Sequence, residues 1–324
     1  MNYKSTKKCL ILVAAFMMLF LCACSKGKAD KDKLRIVATG FSEYDWTREI
    51  LGDKKDKAEL TYLLDRGVDI HSFEPTADDI IRISQCDIFI YVGGESDNWV
   101  PDVLRNATNK DMKVIKLMEV LGDSVKEEKI VEGMQAEEHD HEEEGPESDE
   151  HIWLSLKNAQ KCCEAIEKAI EEKDSENAEV YKSNLAAYTE KLAELDTAYA
   201  GAVEAADCKT LLFGDRFPFR YLTSDYGLTY YAAFAGCSAE TEASFETVMF
   251  LAGKVDELRL KHVIVIDGSD GKLANTIIDS SAKKDCDVLT LNSLQSVSSK
   301  DIEAGCSYIT YMEKNLEIVK QALD

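Results

Sequence analysis

Basic residues are scarce relative to acidic ones in this chain of 324 residues: Lys and Arg total 38 against 61 Asp and Glu, a formal charge of −23. That imbalance excludes a nucleic-acid binder, because such affinity comes largely from Lys and Arg displacing counterions from phosphate. An acidic surface suits cations instead. The G-x-x-x-x-G-K-[ST] phosphate loop is missing, so nothing indicates ATP chemistry. Also missing are H-E-x-x-H, the helical signature of one zinc hydrolase class, and any C-x-x-C among the ten cysteines. Histidine is rare, with five in all. What the chain does have is 45% apolar residues, enough for a sizeable core, and a length that suits about two domains.

The first residues read as a leader. Lys4, Lys7 and Lys8 form a positive start, Cys9 to Phe20 is an apolar run, and Leu21-Cys22-Ala23-Cys24 follows. The run falls short of the roughly 20 apolar residues that a bilayer span needs. Small residues before a cysteine are the pattern of a bacterial lipoprotein cleavage site. Residues 1–23 are therefore expected to be a signal peptide, Cys24 the lipidated N-terminus and residues 24–33 a polar tether. The seven cysteines beyond it are too few for a disulfide scaffold, and most are expected to be small core residues.

From Leu34 onward, short apolar runs alternate with helical patterns. Leu34 to Thr39, Ala58 to Leu64, Asp87 to Val92 and Val114 to Met118 read as strands, with helices at Trp46 to Leu51 and Ala77 to Ser84. Such alternation predicts βα units and a mostly parallel sheet covered on both faces. Apolar residues nearly vanish between Leu121 and Glu150, where Glu137-Glu138-His139-Asp140-His141-Glu142 stands in a stretch that reads as a solvated loop. A long helix is expected from about Glu176 to Ala206, because Leu185, Tyr188, Leu192, Leu195 and Tyr199 recur at spacings of three and four. A second alternating stretch follows. The expected fold is α/β: two lobes, each a mostly parallel sheet flanked by helices, joined by one long rigid helix. The boundaries are 34–172 for the first lobe, with the acidic loop at 132–150, then 173–206 for the linking helix and 207–324 for the second lobe.

Two of the five histidines stand where loops leave a sheet, the edge at which ligands of open α/β sheets gather. His71 opens His71-Ser72-Phe73-Glu74-Pro75, and His151 lies in Asp149-Glu150-His151-Ile152-Trp153-Leu154-Ser155. The first segment resembles H-x-[FY]-E-P and the second D-P-H-x-W-[LM]-S of the zinc and manganese receptors of ABC importers, a family of solute-binding lipoproteins. Gly94 to Trp99 is similar to a third family stretch, with Asp97 where that stretch has Glu. The resemblance runs in order along almost the whole chain beyond the leader.

The resemblance implies that His71 and His151 each give one imidazole nitrogen to a divalent metal. It also implies further ligands from the second lobe, where this sequence departs from the pattern. An ungapped register places Arg216 at the third-ligand position, and a guanidinium cannot coordinate a cation. Asp215, one residue away, is the expected replacement. For the fourth position Asp270 ranks slightly above Asp267. His139 and His141 in the acidic loop read as collectors of cations near the site, or as part of a solvated charge run. That loop favours Zn2+, whereas two histidines with two carboxylates would suit Mn2+.

The function so implied is extracytoplasmic capture of a divalent metal, and its delivery to an ABC permease and its ATPase by a monomeric, lipid-anchored receptor that is not an enzyme. A manganese receptor is the nearest alternative. A metal-dependent hydrolase and a surface adhesion lipoprotein are the rival classes.

Overall fold

The computed structural model describes residues 33–135, 147–238 and 242–324. The leader, the lipidation position Cys24, and His139 and His141 lie outside the described residues.

In the first lobe the strands β1 (Leu34–Ala38), β2 (Ala58–Tyr62), β3 (Ile88–Tyr91) and β4 (Lys113–Lys116) form one sheet in the order β2-β1-β3-β4. Every pairing is parallel, with Ile36 opposite both Leu60 and Ile88. Helices α1 (Phe41–Leu51), α2 (Ala77–Gln85), α3 (Val100–Arg105) and α4 (Leu117–Leu121) supply the connections. Helix α2 starts at Thr76 because the Thr76 side chain accepts from the Asp79 amide while Asp79 returns a bond to the Thr76 backbone. The fourth strand ends earlier than its apolar run suggests, since Leu117 already begins α4.

Helix α5 (Leu156–Lys173) begins at Ser155, whose side chain accepts from the Asn158 amide, and buries Ala159, Cys162, Cys163, Ile166 and Ile170 along one face. Helix α6 (Ala178–Ala205) has 28 residues, about 42 Å at the usual rise, and turns Tyr181, Tyr188, Leu192, Leu195, Tyr199 and Val203 inward.

The second lobe repeats the plan. Strands β5 (Thr210–Phe217), β6 (Thr229–Ala235), β7 (His262–Ile266) and β8 (Asp287–Leu291) lie in the order β6-β5-β7-β8, again all parallel. Helices α7 (Arg220–Tyr226), α8 (Phe245–Leu258), α9 (Lys272–Ser280), α10 (Ser299–Glu303) and α11 (Tyr308–Leu323) complete it. Both sheets thus share one strand order although no repeat is visible in the sequence. Topology follows from the constraints on parallel crossovers and does not need matching residues.

One continuous apolar core runs from Ile36 and Phe89 in the first sheet through α5 and α6 to Phe213, Leu291 and Tyr308 in the second lobe. Buried hydrogen bonds add to it: Tyr199 Oη donates to the Met312 carbonyl at 2.7 Å and Tyr308 Oη to the Trp153 carbonyl at 2.6 Å. The ends of the acidic stretch are more ordered than its composition suggests. Gln135 pairs with Phe234 of β6, Met134 is buried, and Asp149 and Glu150 are each 1% exposed. Among the described residues, no helix is long and apolar enough to cross a membrane.

Candidate metal centre

His71 sits in a single 3₁₀ turn, Ile70–Ser72, after the first-lobe strand β2. Asp69 caps the turn: its Oδ1 accepts from the His71 amide at 3.0 Å and its Oδ2 from the Arg216 guanidinium at 2.8 Å. That ion pair keeps the Asp69 carboxyl below its usual range against the opposing effect of burial. Arg216, at the position that register counting gave to a ligand, therefore holds the backbone on which His71 stands.

His151 is fully buried and precedes the 3₁₀ turn Ile152–Leu154. Asp149 Oδ1 accepts from the His151 amide at 2.9 Å and lies 3.0 Å from the ring Nδ1. Glu150 Oε1 lies 2.9 Å from Nδ1 of His71 and accepts from Ser96 Oγ at 2.5 Å, while its Oε2 accepts from the Ser96 amide at 3.1 Å. The neighbouring carboxylates thus each engage one ring. Burial disfavours the charged forms of Glu150 and His151. Contact with His71 nevertheless holds Glu150 down to about 2, and Asp149 raises His151 above its ordinary value.

With both Nδ1 atoms on carboxylates, the Nε2 atoms face each other at 3.2 Å, the ring centroids 5.3 Å apart. Two nitrogens held tetrahedrally by one zinc ion at about 2.0–2.1 Å stand about 3.3 Å apart. The separation found is that of two ligands sharing one ion. Gln295, 4% exposed, places its side-chain nitrogen 2.8 Å from each Nε2, so its two N–H groups donate to the lone pairs a cation would use. Trp153 closes one side, edge-on to His151 at 5.3 Å, with its Nε1 donating to the Ser293 carbonyl.

Asp215, Asp267 and Asp270 do not join this pair. Asp215 lies in the irregular stretch of β5 between Phe213 and Arg216, where it accepts from the Arg216 and Ile266 amides. Asp267 accepts from the Ser293 amide at 2.5 Å, tying the end of β7 to the loop that carries Gln295. Asp270 is in an exposed turn and pairs with Lys272. In their place the second lobe presents Cys237, separated from the end of β6 by Gly236 alone. One donor atom each of His71, His151 and Cys237 lies within 4.8 Å of the others. Burial, with Glu150, Glu128 and Asp149 adding to it, pushes the Cys237 thiol far above its ordinary range. Sequence reasoning set Cys237 aside with the other cysteines, and Gln295 is a neutral amide inside Leu291-Asn292-Ser293-Leu294-Gln295, a segment without a charge to draw attention.

Residues 36–322 match the family model described as zinc-uptake complex component A, periplasmic, ZnuA. The chain belongs to the ZnuA family. Among its relatives are the zinc-binding lipoprotein AdcA of Streptococcus pneumoniae, 35% identical over 322 residues, and the high-affinity zinc uptake system protein ZnuA of Bacillus subtilis, 30% identical over 332. The alignments cover 98% and 99% of this chain. The chain spans about three-fifths of the streptococcal AdcA (61%) and nearly all of the Bacillus protein (98%). The crystal structure of the Zn(II)-bound ZnuA-like domain of Streptococcus pneumoniae AdcA is 31% identical with a TM-score of 0.70, covering 90% of this chain and 99% of that one. The metal-dependent lipoprotein YcdH of Bacillus subtilis, 27% identical, gives 0.72 over 90% of this chain and 99% of its own. ZnuA membership accords with the two parallel-sheet lobes.

Proposed function

We propose that this ZnuA-family chain is the extracytoplasmic receptor of a zinc importer: it captures Zn2+ between its lobes and hands it to an ABC permease driven by an ATPase. The observation that carries this reading is the pair of Nε2 atoms 3.2 Å apart, each ring aimed by a buried carboxylate on its other nitrogen. Carboxylate–histidine pairs of this kind orient and strengthen metal-binding imidazoles. The relatives described as zinc-binding lipoprotein and zinc uptake protein support zinc as cargo and a lipid anchor, for which Cys24 is the candidate.

His71 and His151 come from the first lobe and Gln295 from the second, so an ion held among them reports on the relation of the lobes, which is what a permease must sense. The continuous core through α5, α6 and α11 limits any change to a modest tilt. A transport receptor fits better than a hydrolase, because the two carboxylates beside the histidines are engaged with the rings and neither is free to act as a general base.

The test is a zinc titration of the wild type and of His71→Ala and His151→Ala, with melting temperatures of the metal-free proteins. Each substitution is expected to weaken zinc by at least a hundredfold with the fold retained. Unchanged zinc affinity in both variants would overturn the reading.

A further inference from the structure

We infer that Cys237 is the third protein ligand of the bound metal and that its thiolate makes the site selective for zinc over manganese. The inference deepens the receptor reading and rests on it. Gly236 is the feature that delivers the sulfur. A Cβ on Gly236 would stand 2.9 Å from His151 Cε1 and 2.9 Å from the Phe217 carbonyl, so the end of β6 can lie this close to the ring only without a side chain. The next residue is thereby presented to the imidazole pair. Its amide donates to Glu128 Oε1 at 3.3 Å, fixing the backbone, and its Sγ stands 3.8 Å from Glu150 Oε1, the carboxylate that engages His71.

Zinc bound at about 2.3 Å to sulfur and about 2.0–2.1 Å to nitrogen in a tetrahedron sets sulfur and nitrogen about 3.5 Å apart. The three donor atoms already lie within 4.8 Å of one another, so closing on an ion takes at most about 1.3 Å, within reach of a side-chain rotation and a slight lobe tilt. On binding, the S–H bond breaks, its electron pair becomes the metal–sulfur bond and the proton leaves to solvent. Two neutral imidazoles and one thiolate leave a divalent ion with a single net positive charge, which the Asp149 and Glu150 carboxylates behind the rings more than offset. Gln295 then offers its amide oxygen as a neutral fourth donor, in exchange for the N–H groups it turns to the rings without metal. Sulfur is a soft ligand that suits zinc, whereas manganese prefers hard oxygen donors. Among the described residues, Asp215, Asp267 and Asp270 stay outside the cluster, which joins His71, His151 and Cys237.

The experiment loads the purified full chain with Co2+ as a spectroscopic substitute for zinc. The wild type is expected to show the visible bands of tetrahedral cobalt together with an intense near-ultraviolet sulfur-to-metal charge-transfer band. Cys237→Ser should keep the visible bands and lose the charge-transfer band, while Cys306→Ser keeps both. Competition titrations should find zinc weakened at least thirtyfold in Cys237→Ser with manganese changed less than threefold, and Cys237→Asp should narrow the zinc-to-manganese ratio further. A wild-type cobalt complex without the charge-transfer band overturns the inference whether or not any variant folds. So does zinc affinity unchanged in a folded Cys237→Ser, and if His71→Ala still abolishes binding there, the receptor reading stands without the thiolate.

Discussion

Asp149→Asn is the perturbation that best separates aiming a ligand from being one. Asp149 is 1% exposed, and its Oδ1 serves both the His151 amide and the His151 Nδ1. An asparagine can keep its carbonyl oxygen on those donors, so the ring stays where it is and only the negative charge behind it is removed. A hydrogen bond to a charged partner contributes about 1.5–3 kcal/mol, against about 0.5–1.5 for a neutral one. The loss on zinc binding is therefore about 1–1.5 kcal/mol, or about 5- to 13-fold in affinity, at the lower end of the range usual for a partner of a metal-ligating histidine. Glu150→Gln should cost more, because an amide nitrogen replaces Oε2 opposite the Ser96 amide and leaves two donors face to face. Competition against a chromogenic chelator at constant pH measures both, with the melting temperature of each metal-free variant as the control for folding. Zinc affinity within threefold of wild type in a folded Asp149→Asn would refute the view that carboxylate charge tunes this site.

The remaining expectations concern zinc capture and the scaffold. His71→Ala and His151→Ala should each abolish tight zinc binding, read by calorimetry. Burial pushes Asp97 up to about 7 and Asp45 up to about 6, each above the 3.8 of an ordinary aspartate. Between about pH 4 and pH 7 the folded state therefore holds more protons than the unfolded state, and these two groups lose stability as pH rises through that window. Asp97→Asn, which keeps an acceptor for the Gly93 amide, should raise the melting temperature at pH 8 and flatten its slope. The gain is at most about 4 kcal/mol. An unaltered slope between pH 4 and pH 8 would count against the burial argument. Tyr308→Phe removes the buried bond to the Trp153 carbonyl and should cost about 1–3 kcal/mol by denaturant unfolding.

The fold was legible because its signal is periodic. Short apolar runs separated by helical stretches leave little but parallel sheets, and the inward residues of α6 follow the spacing of Leu185, Tyr188, Leu192, Leu195 and Tyr199, with Leu185 partly buried against the core and the other four buried. The convergence of His71 and His151 was legible for a different reason: both stand in loops at a sheet edge within distinctive segments. The second lobe's contribution was not. Register counting assumes an unbroken strand, and β5 is irregular between Phe213 and Arg216, which uncouples sequence position from direction there. Asp267 and Asp270 drew attention as carboxylates near a strand end, but the Ser293 amide and Lys272 engage them. A lone cysteine after an apolar strand carries no pattern, and a glutamine carries no charge. The same strand order in both sheets was invisible too, because it lies in the path of the chain and not in its residues.

Asp149, Glu150 and His151 are consecutive, and this small fact makes the two rings share one steering column. One residue of the tripeptide is a ring, the second grips that ring, and the third grips the other one across the lobe. A twist of a single peptide plane here would misdirect both imidazoles together, so letting go of an ion requires no wide parting of the molecule.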